Sequence, residues 1–109
     1  MDGARIFNAL ATYGLEPNSI SECYDTMTIS FTKGFCCPIG AAVLGSADHI
    51  RRLKNIRKSL GGGLLHTGIL TNGIGYALDH LIPEFKKDNE AAKNLASELS
   101  TIPGVNVGV

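Results

Sequence analysis

The chain has 109 residues, of which 44% are apolar, 18% charged and 13 glycine, and ten Lys and Arg offset ten Asp and Glu. That apolar share excludes a disordered tail, and the glycines follow no three-residue period, which excludes collagen. No apolar run approaches the roughly 20 residues of a membrane span, and a chain of zero net charge offers no field for steering nucleic acid or an anionic membrane surface.

The length allows at most one small domain with a modest core, so the chain is expected to be part of a larger fold. Asp2-Gly3-Ala4-Arg5 follows Met1 at once, and no signal peptide or transit segment is expected. Cys23, Cys36 and Cys37 are odd in number, and an adjacent pair suits neither a zinc knuckle nor a Cys-x-x-Cys redox motif. Reduced thiols in a cytoplasmic or organellar protein are therefore expected. His49, His66 and His80 lie far apart, and no metal site is expected.

In chain order, Ile6, Phe7, Leu10 and Ala11 recur at helical spacing, and the pattern predicts a helix over Ala4–Gly14 closed by its glycine. Ser19-Ile20-Ser21-Glu22 suits a short capped turn. Thr26–Thr32 alternates Met27, Ile29 and Phe31 with hydroxyl residues and predicts a strand. A turn-rich link, Gly34–Gly40, leads to a second short strand, Ala41–Leu44. Asp48–Leu60 predicts a helix with Ser46 as its cap and Ile50, Leu53, Ile56 and Leu60 on its buried side. Gly61-Gly62-Gly63 breaks that helix. A long apolar helix is predicted from about Leu65 to Leu81, where Gly68, Gly73 and Gly75 would let another backbone approach. A charged amphipathic helix covers Glu84–Leu99, Pro103-Gly104 turns the chain, and Val105–Val109 alternates like the opening of a strand. Strands separated by helices indicate α/β, with an incomplete sheet.

Lys33 is the foremost chemical candidate. It follows an apolar strand and precedes Gly34, at the kind of strand end where open α/β sheets place ligands. Partial desolvation there would free its amine to attack a carbonyl; the plain alternative is a solvated loop lysine. Asp2 and Arg5 place a carboxylate and a guanidinium one turn apart at a helix start, where Asp2 alone would serve as a cap. The basic run Arg51–Lys58 reads as a solvated helix face, since no aromatic residues interleave for nucleic-acid stacking. The glycine triplet either offers N–H groups to a phosphate or makes a tight turn. His66 is either an acid/base or a structural residue at a helix start.

Taken in order, DGARIFNAL, a strand ending in TKG with a following Pro-Ile-Gly, VLGS, IRKSLGGG and an apolar helix resemble the L-threonine aldolases of the β-eliminating lyase group. The resemblance runs from Asp2 to about Leu99. It implies a pyridoxal 5′-phosphate enzyme of the aspartate-aminotransferase fold, a three-layer αβα architecture of which this chain holds an incomplete share. Residues 1–100 would belong to the later part of the large cofactor domain and 101–109 to the start of the small one.

The same resemblance implies that Lys33 binds the cofactor aldehyde covalently. Asp2 would pair with its pyridinium nitrogen, and Arg5 would contact the cofactor or substrate carboxylate side. Arg57 and Lys58 match a basic pair near the active site, close to a subunit interface. At Leu65 the family usually has an arginine, and His66 is the residue that would stand in for it. The implied reaction is cleavage of L-threonine or allo-threonine to glycine and acetaldehyde, by a homo-oligomer with no nucleic-acid or membrane partner. Two other readings stand beside it: a β-eliminating amino-acid lyase of the same fold, and a non-catalytic fragment that exposes apolar patches.

Overall fold

The computed structural model of the chain describes residues 1–108. Helix α1 spans Ile6–Tyr13, buries Leu10 and closes at Gly14 in a left-handed conformation, φ 63°. There Leu10 O accepts both the Gly14 N–H and, at 3.0 Å, the Leu15 N–H, which closes the helix end. A 3₁₀ turn over Pro17–Cys23 follows, opened by a proline whose missing N–H costs nothing at that position. Strand β1 is Thr26–Ser30 and strand β2 is Ala41–Gly45; they pair antiparallel with Thr28 opposite Val43. Three helices complete the chain: α2 (Ala47–Ser59), α3 (Gly68–His80) and α4 (Glu84–Ser100).

The alternation read in β1 sorts its residues as expected, with Met27, Ile29 and Phe31 buried and Thr28 exposed. Phe35, Cys37, Ala77 and Phe85 join them in the core, against which Ile6, Phe7, Ile74 and Leu81 pack. Ahead of α1, residues 1–3 run parallel to β1: Thr28 N–H donates to Met1 O at 3.1 Å and Gly3 N–H donates to Thr28 O at 2.8 Å. Only glycine fits at position 3, because a Cβ there would meet Met27 Sδ at 2.7 Å and Thr28 O at 2.8 Å. Ser46 caps α2 by accepting the His49 N–H at 3.3 Å. Between α1 and α4, Asn8 Nδ2 donates to Asn89 Oδ1 (3.1 Å), while Asn89 Nδ2 donates to Asn8 O (2.7 Å) and Thr12 Oγ1 (2.8 Å). No helix is long and apolar enough to cross a membrane, among the described residues.

Several expectations are corrected. The chain is mixed α/β, but its sheet has two strands plus the bridge from Asp2 to Thr28, and no three-layer sandwich forms. The apolar side of α2 is not buried: Leu53, Ile56 and Leu60 are exposed, since a periodic stripe specifies a side and not a cover. The apolar helix begins at Gly68 rather than Leu65, because His66 takes a left-handed φ of 56° that interrupts the helix. Beyond their own helix turns, none of the described residues comes within 4 Å of the Cβ positions of Gly68, Gly73 or Gly75. Residues 105–108 take no regular structure where a strand opening is expected, and Val109 lies outside the described residues.

Candidate functional site

Lys33 sits two residues beyond a buried phenylalanine and two before another, and those anchors define its loop. Phe31 extends the ladder past β1, donating its N–H to Gly40 O at 3.0 Å and accepting from Cys37 N–H at 2.9 Å. Its ring packs on Phe35 with centroids 5.3 Å apart. Phe35 in turn meets Phe7 of α1 at 4.9 Å and Phe85 of α4 at 5.0 Å, both edge to face. Such pairs add about 0.5–1.5 kcal/mol each beyond the area they bury. Gly34 lies against the Phe85 ring so closely that a Cβ would overlap Cε1. Lys33 O then accepts the Cys36 N–H at 2.8 Å, closing a turn around the lysine.

The backbone of Lys33 is thus held from both sides while its side chain is exposed. The desolvation expected of this amine is not supplied by the chain. Thr28 and Thr32, on the hydroxyl face of β1, are exposed as well, so that face is open. Ser30 and Thr32 share a hydroxyl–hydroxyl hydrogen bond of 3.0 Å on it.

Asp2 is placed on the backbone segment bridged to β1, and β1 is the strand that leads to Lys33. Its Oδ1 accepts the Ala4 N–H at 3.0 Å, a tight side-chain turn in which Oδ2 has no donor among the described residues. Arg5 is exposed and immediately precedes α1; it makes no side-chain cap. No ion pair joins Asp2, Arg5 and Lys33 to one another among the described residues, where the two pairs are Arg51–Asp48 and Lys87–Glu84. Both of those are exposed i,i+3 pairs of the kind that contributes about 0–1 kcal/mol.

The remaining candidates lie on another part of the chain. Arg57 and Lys58 occupy the last turn of α2, and both are exposed. Gly61 takes φ 78°, its N–H donates to Lys58 O at 3.1 Å, and Gly62 N–H donates to Arg57 O at 2.8 Å. That pair of bonds is a Schellman close. The glycine triplet is therefore a helix terminator, and two of its three N–H groups are already committed. Four residues separate Gly63 from the first residue of α3 at Gly68, so the triplet does not present its N–H groups to a phosphate at a helix start. His66 is exposed in the connection before α3.

Phe35 and Phe85, which fix the lysine loop, were not distinguished by the sequence reading. Their signal there is faint: aromatic residues at Phe31 and Phe35 flank the lysine, but Phe85 is distant in sequence. Cys37 is buried beside them, with its thiol 3.5 Å from Phe35 O.

A primary amine on a pinned loop, with a half-free carboxylate on the neighbouring backbone, is a donor set that suits an aldehyde-bearing, ring-protonated cofactor. The profile of the family described as "Beta-eliminating lyase" matches residues 1–108. Low-specificity L-threonine aldolase 1 of Arabidopsis thaliana is 34% identical over the whole chain. The low specificity L-threonine aldolase of Escherichia coli strain K12 is 38% identical over 91% of it. An uncharacterized protein of Caenorhabditis elegans is 42% identical over 88% of it. These matches cover 30%, 30% and 23% of the relatives' own lengths, so the chain spans less than a third of each.

Proposed function

The chain belongs to the beta-eliminating lyase family, and from that premise we propose that it supplies the lysine-bearing segment of a pyridoxal-phosphate lyase. The substrates are β-hydroxy-α-amino acids, L-threonine and allo-threonine, and the products are glycine and acetaldehyde. The reading rests above all on one observation: the backbone carrying Asp2 is hydrogen-bonded along β1, the strand that delivers Lys33.

Lys33 is the amine that would hold the cofactor aldehyde. Asp2, with Oδ2 unshared, would pair with the protonated ring nitrogen, and Arg5 is available to an anionic group beside it. When bound, pyridoxal phosphate supplies an electron sink conjugated to the amino acid's α-carbon. The aromatic anchors keep the lysine backbone fixed, which limits the geometry its amine can sample. Arg57, Lys58 and His66 are assigned to the substrate or to a subunit boundary of the complete enzyme, a homo-oligomeric dimer or tetramer.

The test uses the complete protein that carries this segment. Borohydride reduction in the presence of pyridoxal phosphate is expected to leave a pyridoxyl group on Lys33, located by peptide mapping. Label elsewhere, or none, overturns the site. Aldehyde release from L-threonine should vanish in Lys33→Ala. Pyruvate and ammonia from serine would replace carbon–carbon cleavage with β-elimination.

A further inference from the structure

Gly34, the residue after Lys33, sits where three elements meet. The Phe85 ring of α4 closes over it, and Asn8 Oδ1 of α1 lies 3.2 Å from where its Cβ would stand. Phe85 and Asn89 are one turn apart on α4 and share a face of that helix. Asn89 does not act on Gly34 itself; all of its hydrogen bonds go to α1.

Those bonds fix which way the Asn8 amide points. The backbone carbonyl of Asn8 can only accept, so the Asn89 atom 2.7 Å from it is Nδ2, which also donates to Thr12 Oγ1 at 2.8 Å. Asn89 Oδ1 is left to accept Asn8 Nδ2 at 3.1 Å. With its nitrogen committed to Asn89, the Asn8 amide turns its oxygen toward Gly34, and that oxygen has no donor among the described residues. Turning the amide over would set two acceptors, Asn8 Oδ1 and Asn89 Oδ1, against each other. Both asparagines are half-buried, so water does not freely replace the bond that would be lost. Thr12 Oγ1 donates to Asn8 O at 3.0 Å and forms a separate strut of the same clasp.

We propose that Asn89 is a positioning residue for Lys33. It orients Asn8, whose side-chain oxygen and the Phe85 ring together confine Gly34 and so fix the backbone from which the lysine amine extends. Helix α4 thereby sets the lysine at two points one turn apart, directly from Phe85 and through Asn8 from Asn89. Asn8 belongs to α1, which follows Asp2 and Arg5, so the carboxylate and the lysine are referenced to the same helix. The proposal rests on the reading of Lys33 as the amine that holds the cofactor.

The complete protein carrying this segment, freed of cofactor, is mixed with pyridoxal phosphate and quenched with borohydride at timed intervals, and peptide mapping reads the rate of labelling at Lys33. Asn89→Ala should slow it by about tenfold, within the roughly hundredfold that a displacement of about 1 Å can cost. Thr12→Val removes one strut and leaves the amide pair, and should label within about twofold of the wild-type rate. Amide exchange adds a readout free of cofactor. The Cys36 and Cys37 N–H groups, bonded to Lys33 O at 2.8 Å and Phe31 O at 2.9 Å, should exchange faster in Asn89→Ala while those of Met27–Ile29 do not. If Asn89→Ala does not fold, Asn8→Ala decides by the same measurements, since it takes away the oxygen itself and leaves Asn89 bonded to Asn8 O and Thr12. Wild-type labelling and exchange in these variants, or equal slowing in Asn89→Ala and Thr12→Val, overturns the proposal and leaves the cofactor reading standing. A wild-type protein that takes no label on Lys33 overturns both.

Discussion

Phe35 meets Phe85 edge to face, with ring centroids 5.0 Å apart, and the contact ties the loop of Lys33 to α4. Phe85 also stacks on Phe7 of α1 at 5.9 Å, so one ring joins the lysine loop, the first helix and the last. The loop is fixed by this packing together with its backbone hydrogen bonds.

Phe85→Ala should therefore cost about 3–5 kcal/mol, the range for emptying a buried aromatic site. In a thermal melt this is a fall of more than about 10 °C. Leu95 lies on the exposed side of the same helix, at 58% exposure, and Leu95→Ala should stay within about 0.5 kcal/mol of wild type.

Gly34→Ala places a methyl group into the Phe85 ring. Overpacking of this kind costs about 1–3 kcal/mol. Combining it with Phe85→Leu should cost less than the two changes added, because the smaller side chain yields the space. Denaturant midpoints of the four proteins in the cycle measure that coupling.

Asn89→Ala removes both donors that hold α1 to α4 and strands the half-buried Asn8 amide. The expected loss is about 1–3 kcal/mol, larger than for a surface asparagine. Asn94, exposed on the same helix, supplies the comparison.

The glycine triplet should respond unevenly. Gly61→Ala forces a left-handed conformation on a residue with a Cβ, at about 1–2 kcal/mol, although nothing lies within 4 Å of that position. Gly63→Ala meets neither a neighbour nor an unfavourable φ and should be neutral to within about 0.5 kcal/mol. Equal losses at both positions in thermal melts would contradict the Schellman close.

Cys23 and Cys36 are exposed and Cys37 is buried. A thiol reagent should titrate two groups in the native chain and the third only after denaturation. Because Cys36 follows Lys33 by three residues, its modification serves as a local reporter of that loop.

Much of the secondary structure was legible because its causes are local. Gly14 ends α1, Ser46 starts α2, and the alternation through Met27, Ile29 and Phe31 marks β1 without reference to anything distant. The start of α3 was misplaced because Leu64 and Leu65 continue an apolar pattern, whereas the backbone at His66 decides where the helix begins. The stripe of Leu53, Ile56 and Leu60 was legible as apolar, but periodicity carries no information about whether a partner is present. The lysine of the candidate site stood out by its place after a strand. Its aromatic anchors did not, since the meeting of Phe35 with Phe85 depends on how α4 returns across the chain.

Helix α2 packs against β2 and contributes no buried residue, whereas the phenylalanine cluster binds α1, β1 and α4 to one another. The chain consequently has a hierarchy of opening. Amide protons of Arg51–Lys58 would trade with deuterium through a local excursion that leaves the aromatic nucleus intact, while those of Met27–Phe31 would await the collapse of the whole.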